Sequence, residues 1–454
     1  MRELAVEQPS GETAQGQTAA LSPELSARDG VSLVVGIVIG SGIYLVPGAV
    51  GTHLASLRSV LAIWVAGGLL TLFGALSLAE LGAMFPAAGG LYAYLREAYG
   101  RPVAFLYGWS LLSMIQTGSI ATLAAGFGLY LAQLLALTPR QQTALAASAV
   151  LTLTALNLLS LRHTKHLQNV ATGAKILGLF ALGVLLFRRG GAMNLRAGWN
   201  APEHAGLLSA GAALVAVLWA YEGWHAVSFT AGEFREPQRD LPRSLVAGTA
   251  MVAAIYILMN IAYYSILTPG RIAGMGSAAA GAMQAAYGPG AIRLVSALIL
   301  ISILGAMNAT ILTGPRVYYA MARDGVFFAA LAKTSAKNKV PALAIVVQGV
   351  WATGLTLAGT YQQLFTYVVF TAWIFYGLAV AGVIVLRIQD PARRRSFRTP
   401  LYPLLPILFV LAAAGIVAST IAADPFHTML GAGAVLIGLP LYLLFTRRSR
   451  PCAF

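Results

Sequence analysis

The sequence predicts an all-α polytopic membrane protein. Three observations carry that prediction. Of 454 residues, 58% are hydrophobic and only 10% are charged, too few charges to solvate a soluble domain of this length. Apolar runs of about 20 residues recur along the whole chain, each long enough to cross a bilayer as a helix. Lipid offers no hydrogen-bond partners, so each run must satisfy its own backbone, which a helix does within one segment.

Twelve spans are expected, near 31–50, 59–81, 103–136, 142–161, 168–187, 206–231, 243–267, 291–320, 341–359, 362–386, 401–421 and 428–446. The first carries Gly40, Ser41 and Gly42 at its centre and ends at Pro47 and Gly48. The second ends at Glu80. The third and fourth are joined by LTPRQQ at 137–142. The fifth contains Lys175, the one basic residue placed inside a span. The sixth, around WAYEGWH, has Glu222 and Gly223 at its middle. The segment GEFREPQRDLPRSL, with Pro237 and Pro242 among charges, is expected to form the loop and turn before the seventh. The eighth carries Asn308, and four further runs complete the set.

The net charge of +15 follows this topology rather than an affinity for nucleic acid. With the N-terminus placed inside, the inner tails and loops hold 22 of the 30 Lys and Arg, the outer loops 7 and the fifth span one. That bias matches the positive-inside rule with both termini cytoplasmic. Residues 1–27 carry Glu3, Glu7, Glu12 and Glu24 with no apolar core, which reads as a disordered cytoplasmic tail and not a signal peptide; 447–454 reads as a second tail. The single cysteine, Cys452, allows no internal disulfide and no thiol-ligated metal. The six histidines have no metal-ligand spacing, so neither a metal nor another cofactor is expected.

Two spans contain features that a simple membrane helix avoids. An interior glycine costs about 1 kcal/mol relative to alanine, so the turn at 40–42 is poorly helical. One reading is a close-packing face of Gly36, Gly40 and Ser41. A carboxylate deep in a span costs roughly 2.5–3.5 kcal/mol on insertion scales, so Glu222 needs water, a partner or a task. Broken segments at corresponding positions of two halves point to a transporter binding site. Spans one and six each open a set of five, so residues 28–190 and 200–387 are expected to be a 5+5 repeat, with 388–446 as two extra helices. An unwound helix exposes N–H groups on one side and C=O groups on the other. The N–H side, at the positive end of a half-helix dipole, suits a carboxylate; the C=O side suits an ammonium. Two facing breaks could therefore hold a zwitterion, with Gly40, Ser41 and Gly42 supplying unobstructed donors.

On these residues the chain resembles the L-type amino-acid transporter (LAT) family of the amino acid–polyamine–organocation (APC) superfamily. The resemblance covers residues 28–446. Its pieces are GIVIGSGIYLVPG at 36–48, AELGAMFPAAGGLYAYL at 79–95, AKILGL at 174–179, LWAYEGWHAVSFTAGEFREPQRDLPRSL at 218–245 and GAMNATILTGPRVYYAMARDG at 305–325. It implies a LeuT-like fold of twelve helices with inverted 5+5 repeats and broken helices one and six. It also implies sodium-independent exchange of amino acids, neutral ones first with cationic ones as a further class. By resemblance the substrate carboxylate sits on Gly40, Ser41 and Gly42, and the ammonium on carbonyls around Val38 and Trp219, beside Ala220. Trp219 stands where the family has a gating aromatic, commonly Phe. Lys175 matches a fifth-helix lysine lying where sodium-coupled relatives hold an ion; the alternative is that it snorkels to the interface.

Three roles stay open for Glu222: pairing with Lys175, carrying a proton, or facing the side-chain pocket and favouring cationic substrates; the remaining reading is a water-exposed vestibule residue with no direct role. Asn308 matches a family position near the substrate and the lysine, and an interhelical hydrogen bond accounts for it equally well. Glu80 is expected to be structural, in a gate ion pair with Arg96 or Arg101. The loop at 137–142 lacks the cysteine that eukaryotic light subunits use to bind a heavy chain, so the protein is expected to act alone, as a monomer in the cell membrane. Proton-coupled symport is the alternative mechanism; a membrane sensor or channel is the alternative class. An enzyme would need paired acids, a His base or a metal set at similar depth.

Overall fold

The computed structural model describes residues 21–203, 205–358, 361–423 and 425–448. Of the expected tails at 1–27 and 447–454, residues 1–20 and 449–454, with Cys452, lie outside the described residues. Among the described residues the structure is helical and has no strand, only an isolated bridge between Leu25 and Phe234. Among the described residues, eight helices are long and apolar enough to cross a membrane. They are Leu57–Met84, Arg101–Leu135, Leu161–Arg189, Pro237–Ile266, Ala291–Arg323, Phe370–Gln389, Leu404–Ala422 and Thr428–Thr446. A ninth forms if Ala27–Val38 and Gly42–His53, bent by 45° at their break, count as one span. Two shorter apolar helices, Leu207–Ala220 and Ala342–Ala358, and the less apolar Pro139–Asn157 occupy the remaining expected positions.

Local chemistry sets the helix ends. Ser26 caps Ala27–Val38 in a box with Asp29, and Thr138 does the same with Gln141 at Pro139–Asn157. The chain is already held at Leu25, which is fully buried and exchanges backbone hydrogen bonds with Glu233 and Arg235. Part of the segment read as a disordered tail is therefore packed into the fold. The segment read as a loop before the seventh span is mostly helical: Ala226–Glu233 is a 3-10 turn and Pro237 starts the next helix. Proline at the first helical position gives up an N–H that has no intrahelical partner there anyway.

The half-helix Ala27–Val38 sits at the centre, packed by Pro237–Ile266, Leu161–Arg189 and Ala291–Thr313. One end of the bundle collects ion pairs. Buried Glu233 accepts two hydrogen bonds from Arg316, at 2.9 and 2.7 Å, and Arg316 also donates to the Leu312 carbonyl. Glu80 accepts from Arg387 at 2.9 and 2.7 Å and from the Thr399 N–H at 2.7 Å, with Arg395 3.3 Å away. The expected partners of Glu80 are therefore wrong: Arg96 turns to Glu97 and Asp324 instead. Tertiary packing brings the 387–399 segment, some 300 residues along the chain, over the end of Leu57–Met84, and no local pattern announces it.

Candidate functional site

The first break opens at Ile39. Its N–H still bonds the Val35 carbonyl, but the Gly40 N–H turns back to Val38, and a new helix starts at Gly42. Ser41, the cap of that helix, makes no side-chain capping bond. The Tyr44 N–H bonds the Ser41 carbonyl at 3.1 Å, and the N–H groups before it lie at the positive, N-terminal end of the new half-helix. The second break follows Ala220. Residues 221–225 form turns, Gly223 lies at φ +105°, and the chain resumes as the 3-10 helix Ala226–Glu233. A Cβ on Gly223 would meet the Ile37 side chain at 2.3 Å, so this turn demands glycine both for its backbone and for space.

The two breaks touch. A Cβ on Gly42 would lie 2.8 Å from the Ala220 Cα, so the absent side chain lets the second half-helix close on the other break. Tyr256 joins their other faces: its hydroxyl lies 2.9 Å from both the Val38 and the Ala220 carbonyl oxygens. A phenol carries one proton and donates to one carbonyl at a time. The C-terminal, negative ends of Ala27–Val38 and Leu207–Ala220 therefore converge on a site with fewer donors than acceptors. Tyr256 is held by edge and tilted contacts with Trp64 at 5.6 Å and Tyr221 at 5.0 Å.

A cavity of about 70 Å³ fills the space between the breaks. Val38, Gly40, Ser41, Gly42, Trp219, Ala220 and Glu222 all line it. Seven of the nine residues named from sequence are thereby brought together; Lys175 and Asn308 are not on its wall. Lys175 is fully buried midway along Leu161–Arg189, which rules out snorkelling. Its ammonium donates to the carbonyls of Gly36 at 2.6 Å and Ile39 at 2.9 Å. It caps the end of Ala27–Val38 from behind, where the helix dipole favours a cation. The Ser302 hydroxyl lies 3.0 Å from the Ile39 and 2.9 Å from the Gly40 carbonyl oxygen and donates to one of them at a time.

Asn308 has both ends of its amide engaged, accepting from Asn157 and donating to Gln168, each at 2.9 Å. It ties three helices together beneath the break. The Trp219 carbonyl, expected to meet an ammonium, accepts the Glu222 N–H at 3.0 Å; Ala220 presents the carbonyl that faces Tyr256. Glu222 does not meet Lys175. Its carboxylate accepts from the Tyr376 hydroxyl at 2.5 Å, and the same hydroxyl lies 3.2 Å from His225 Nε2. Tyr256, Tyr376, His225 and Ser302 went unnoticed in the sequence because buried tyrosines and serines in apolar runs read as packing or polar contacts between helices. No group of three or more His, Cys, Asp or Glu able to hold a metal occurs among the described residues. A second cavity, of about 630 Å³, lies on the far side from the ion pairs, between Leu45, Tyr130, Gln142 and Ser277.

Comparison with known proteins places this geometry in a family. Residues 25–438 match the amino acid permease family. The b(0,+)-type amino acid transporter 1 of Homo sapiens is 32% identical over 456 residues, spanning 98% of this chain and 92% of its own. The serine/threonine exchanger SteT of Bacillus subtilis (strain 168) is 32% identical over 432 residues, 94% of this chain and 98% of its own. The large neutral amino acids transporter small subunit 2 of Mus musculus is 29% identical over 443 residues, 94% and 82% of the two chains. Family and relatives are transporters, not enzymes. The chain belongs to the amino acid permease family, among the L-type amino-acid transporters of the amino acid–polyamine–organocation superfamily.

Proposed function

We propose that this amino-acid transporter is a sodium-independent exchanger that grips the two ends of a zwitterion between its breaks. The observation that carries the reading is the convergence of two helix C-termini on Tyr256, opposite an uncapped helix N-terminus at Gly42. The substrate carboxylate takes the N–H groups of Gly40, Ser41 and Gly42. Its ammonium supplies the donor that one Tyr256 proton cannot give to both Val38 and Ala220. Trp219 covers the side chain, and Glu222 faces it and favours cationic substrates. Lys175 stands in for a bound cation behind the first break.

Twelve helices in inverted repeats at 28–190 and 200–387, with 388–446 added, give alternating access around this site. The arginine-rich end faces the cytoplasm with both termini, in the cell membrane. The ion pairs there and the large cavity at the other end support a conformation closed to the cytoplasm. The protein works alone, without a heavy chain, as a monomer.

Reconstitution tests the reading. Counterflow in proteoliposomes should require internal amino acid and ignore a pH gradient. Glu222→Gln should abolish counterflow of lysine, arginine or ornithine and spare neutral substrates. Indifference to every amino acid offered would refute the site. Uptake that collapses with the proton gradient would favour the second reading, proton symport, which draws its support from Glu222, Tyr376 and His225 meeting on the cavity wall.

A further inference from the structure

A second cavity-bearing surface stands apart from the transport site. Where helix Pro237–Ile266 meets the segment after Phe370–Gln389, a groove of about 660 Å³ opens on the side of the bundle. Its polar rim is Arg239, Arg243 and Ser396; its wall continues through Val246 and Ala250, with Phe397 facing them. Arg239 and Ala250 lie eleven residues apart on one membrane-crossing helix, about 16 Å at 1.5 Å per residue. The groove therefore runs from charged to apolar along the direction in which a membrane does the same.

The charges around the rim have unequal commitments. Arg239 pairs with Glu236, the residue that precedes its helix, at 3.1 Å. Arg387 and Arg395 are held by Glu80. Arg243 is exposed, and Ser396 is flanked by the exposed Arg394 and Arg398. Of the five arginines in segment 387–398, Arg387 and Arg395 meet Glu80 and Arg393 meets Asp390 at 3.8 Å, so the positive charge at the mouth comes from Arg243, Arg394 and Arg398. A positive rim on an apolar slot complements a molecule with an anionic head and an aliphatic tail.

We propose that this groove binds one anionic phospholipid, its phosphate at Arg243 and Arg239 and one acyl chain along Val246, Ala250 and Phe397. The lipid would bridge helix Pro237–Ile266 to the 387–399 segment. Basic groups at a membrane surface attract anionic lipid by roughly fivefold in affinity per residue.

Native mass spectrometry of the full chain, with phosphatidylglycerol or phosphatidylcholine added to the detergent micelle, tests this. One phosphatidylglycerol adduct should bind preferentially, and Arg243→Gln should weaken it about fivefold. Arg271→Gln, an exposed arginine outside the groove, should leave it unchanged. Ala250→Trp, which fills the wall without touching the charges, should displace the adduct even if the arginine variant folds poorly. Equal binding of the two lipids would overturn the proposal, as would equal effects of Arg243→Gln and Arg271→Gln. A phosphatidylglycerol adduct that survives Ala250→Trp, or a protein dimer that Arg243→Gln dissociates, would do the same.

Discussion

Replacing Lys175 with methionine separates a role in shaping the site from a role in holding the fold. Methionine matches the lysine stem as far as Cε and removes the ammonium. Two hydrogen bonds from a charged donor disappear, to Gly36 at 2.6 Å and Ile39 at 2.9 Å. The Ile39 carbonyl shares the single Ser302 proton, at 3.0 Å, with the Gly40 carbonyl at 2.9 Å; the Gly36 carbonyl loses the ammonium as its side-chain donor. A buried acceptor left without a partner costs about 1–3 kcal/mol. Against this, an ammonium no longer has to be kept out of water, which relieves several kcal/mol. The melting temperature in detergent should therefore move little. The open turn at 39–41 has no such compensation, because its carbonyls were aimed by the charge. A shift of about 1.4–3 kcal/mol away from the binding geometry corresponds to roughly 10- to 150-fold weaker binding. Counterflow at fixed substrate, measured in proteoliposomes beside a melting curve, checks both arms. Wild-type exchange by a stable Lys175→Met protein would refute the reasoning, and so would loss of exchange that merely tracks loss of folded protein.

Two further outcomes follow from the geometry. Gly42→Ala places a methyl 2.8 Å from the Ala220 Cα, backbone that cannot swing aside, so amino-acid-induced thermal stabilisation should be lost, whereas Gly40→Ala, whose nearest neighbour is a Leu123 methyl at 3.4 Å, should retain it. Glu203 accepts hydrogen bonds from the N–H groups of Ser56, Ala205 and Ala55; burial opposes its charge, but these bonds prevail and bring its carboxyl from 4.5 down to about 2. A depressed carboxyl stabilises fully above the ordinary range and loses that contribution as pH falls from about 4.5 toward 2, so wild type should exceed Glu203→Gln by about 1 kcal/mol at neutral pH, and melting curves should converge in acid.

Membrane insertion, helical content and the approximate spans were legible in the sequence because hydrophobicity and backbone satisfaction act locally: each run must solve its own hydrogen bonding in lipid. Both breaks were legible too, since Gly40, Gly42 and Gly223 weaken a helix wherever it is placed, and Glu222 is costly at any depth without a partner. Which partner each group meets was decided by the tertiary structure. Glu80 finds Arg387 and Arg395 rather than Arg96 or Arg101, and Lys175 finds two carbonyls rather than Glu222. Asn308 closes a network with Asn157 and Gln168, and one Tyr256 hydroxyl serves two half-helices whose ends lie far apart in the chain. These are contacts between segments that only packing brings within 3 Å, and periodicity along one helix carries no information about the neighbour it will face.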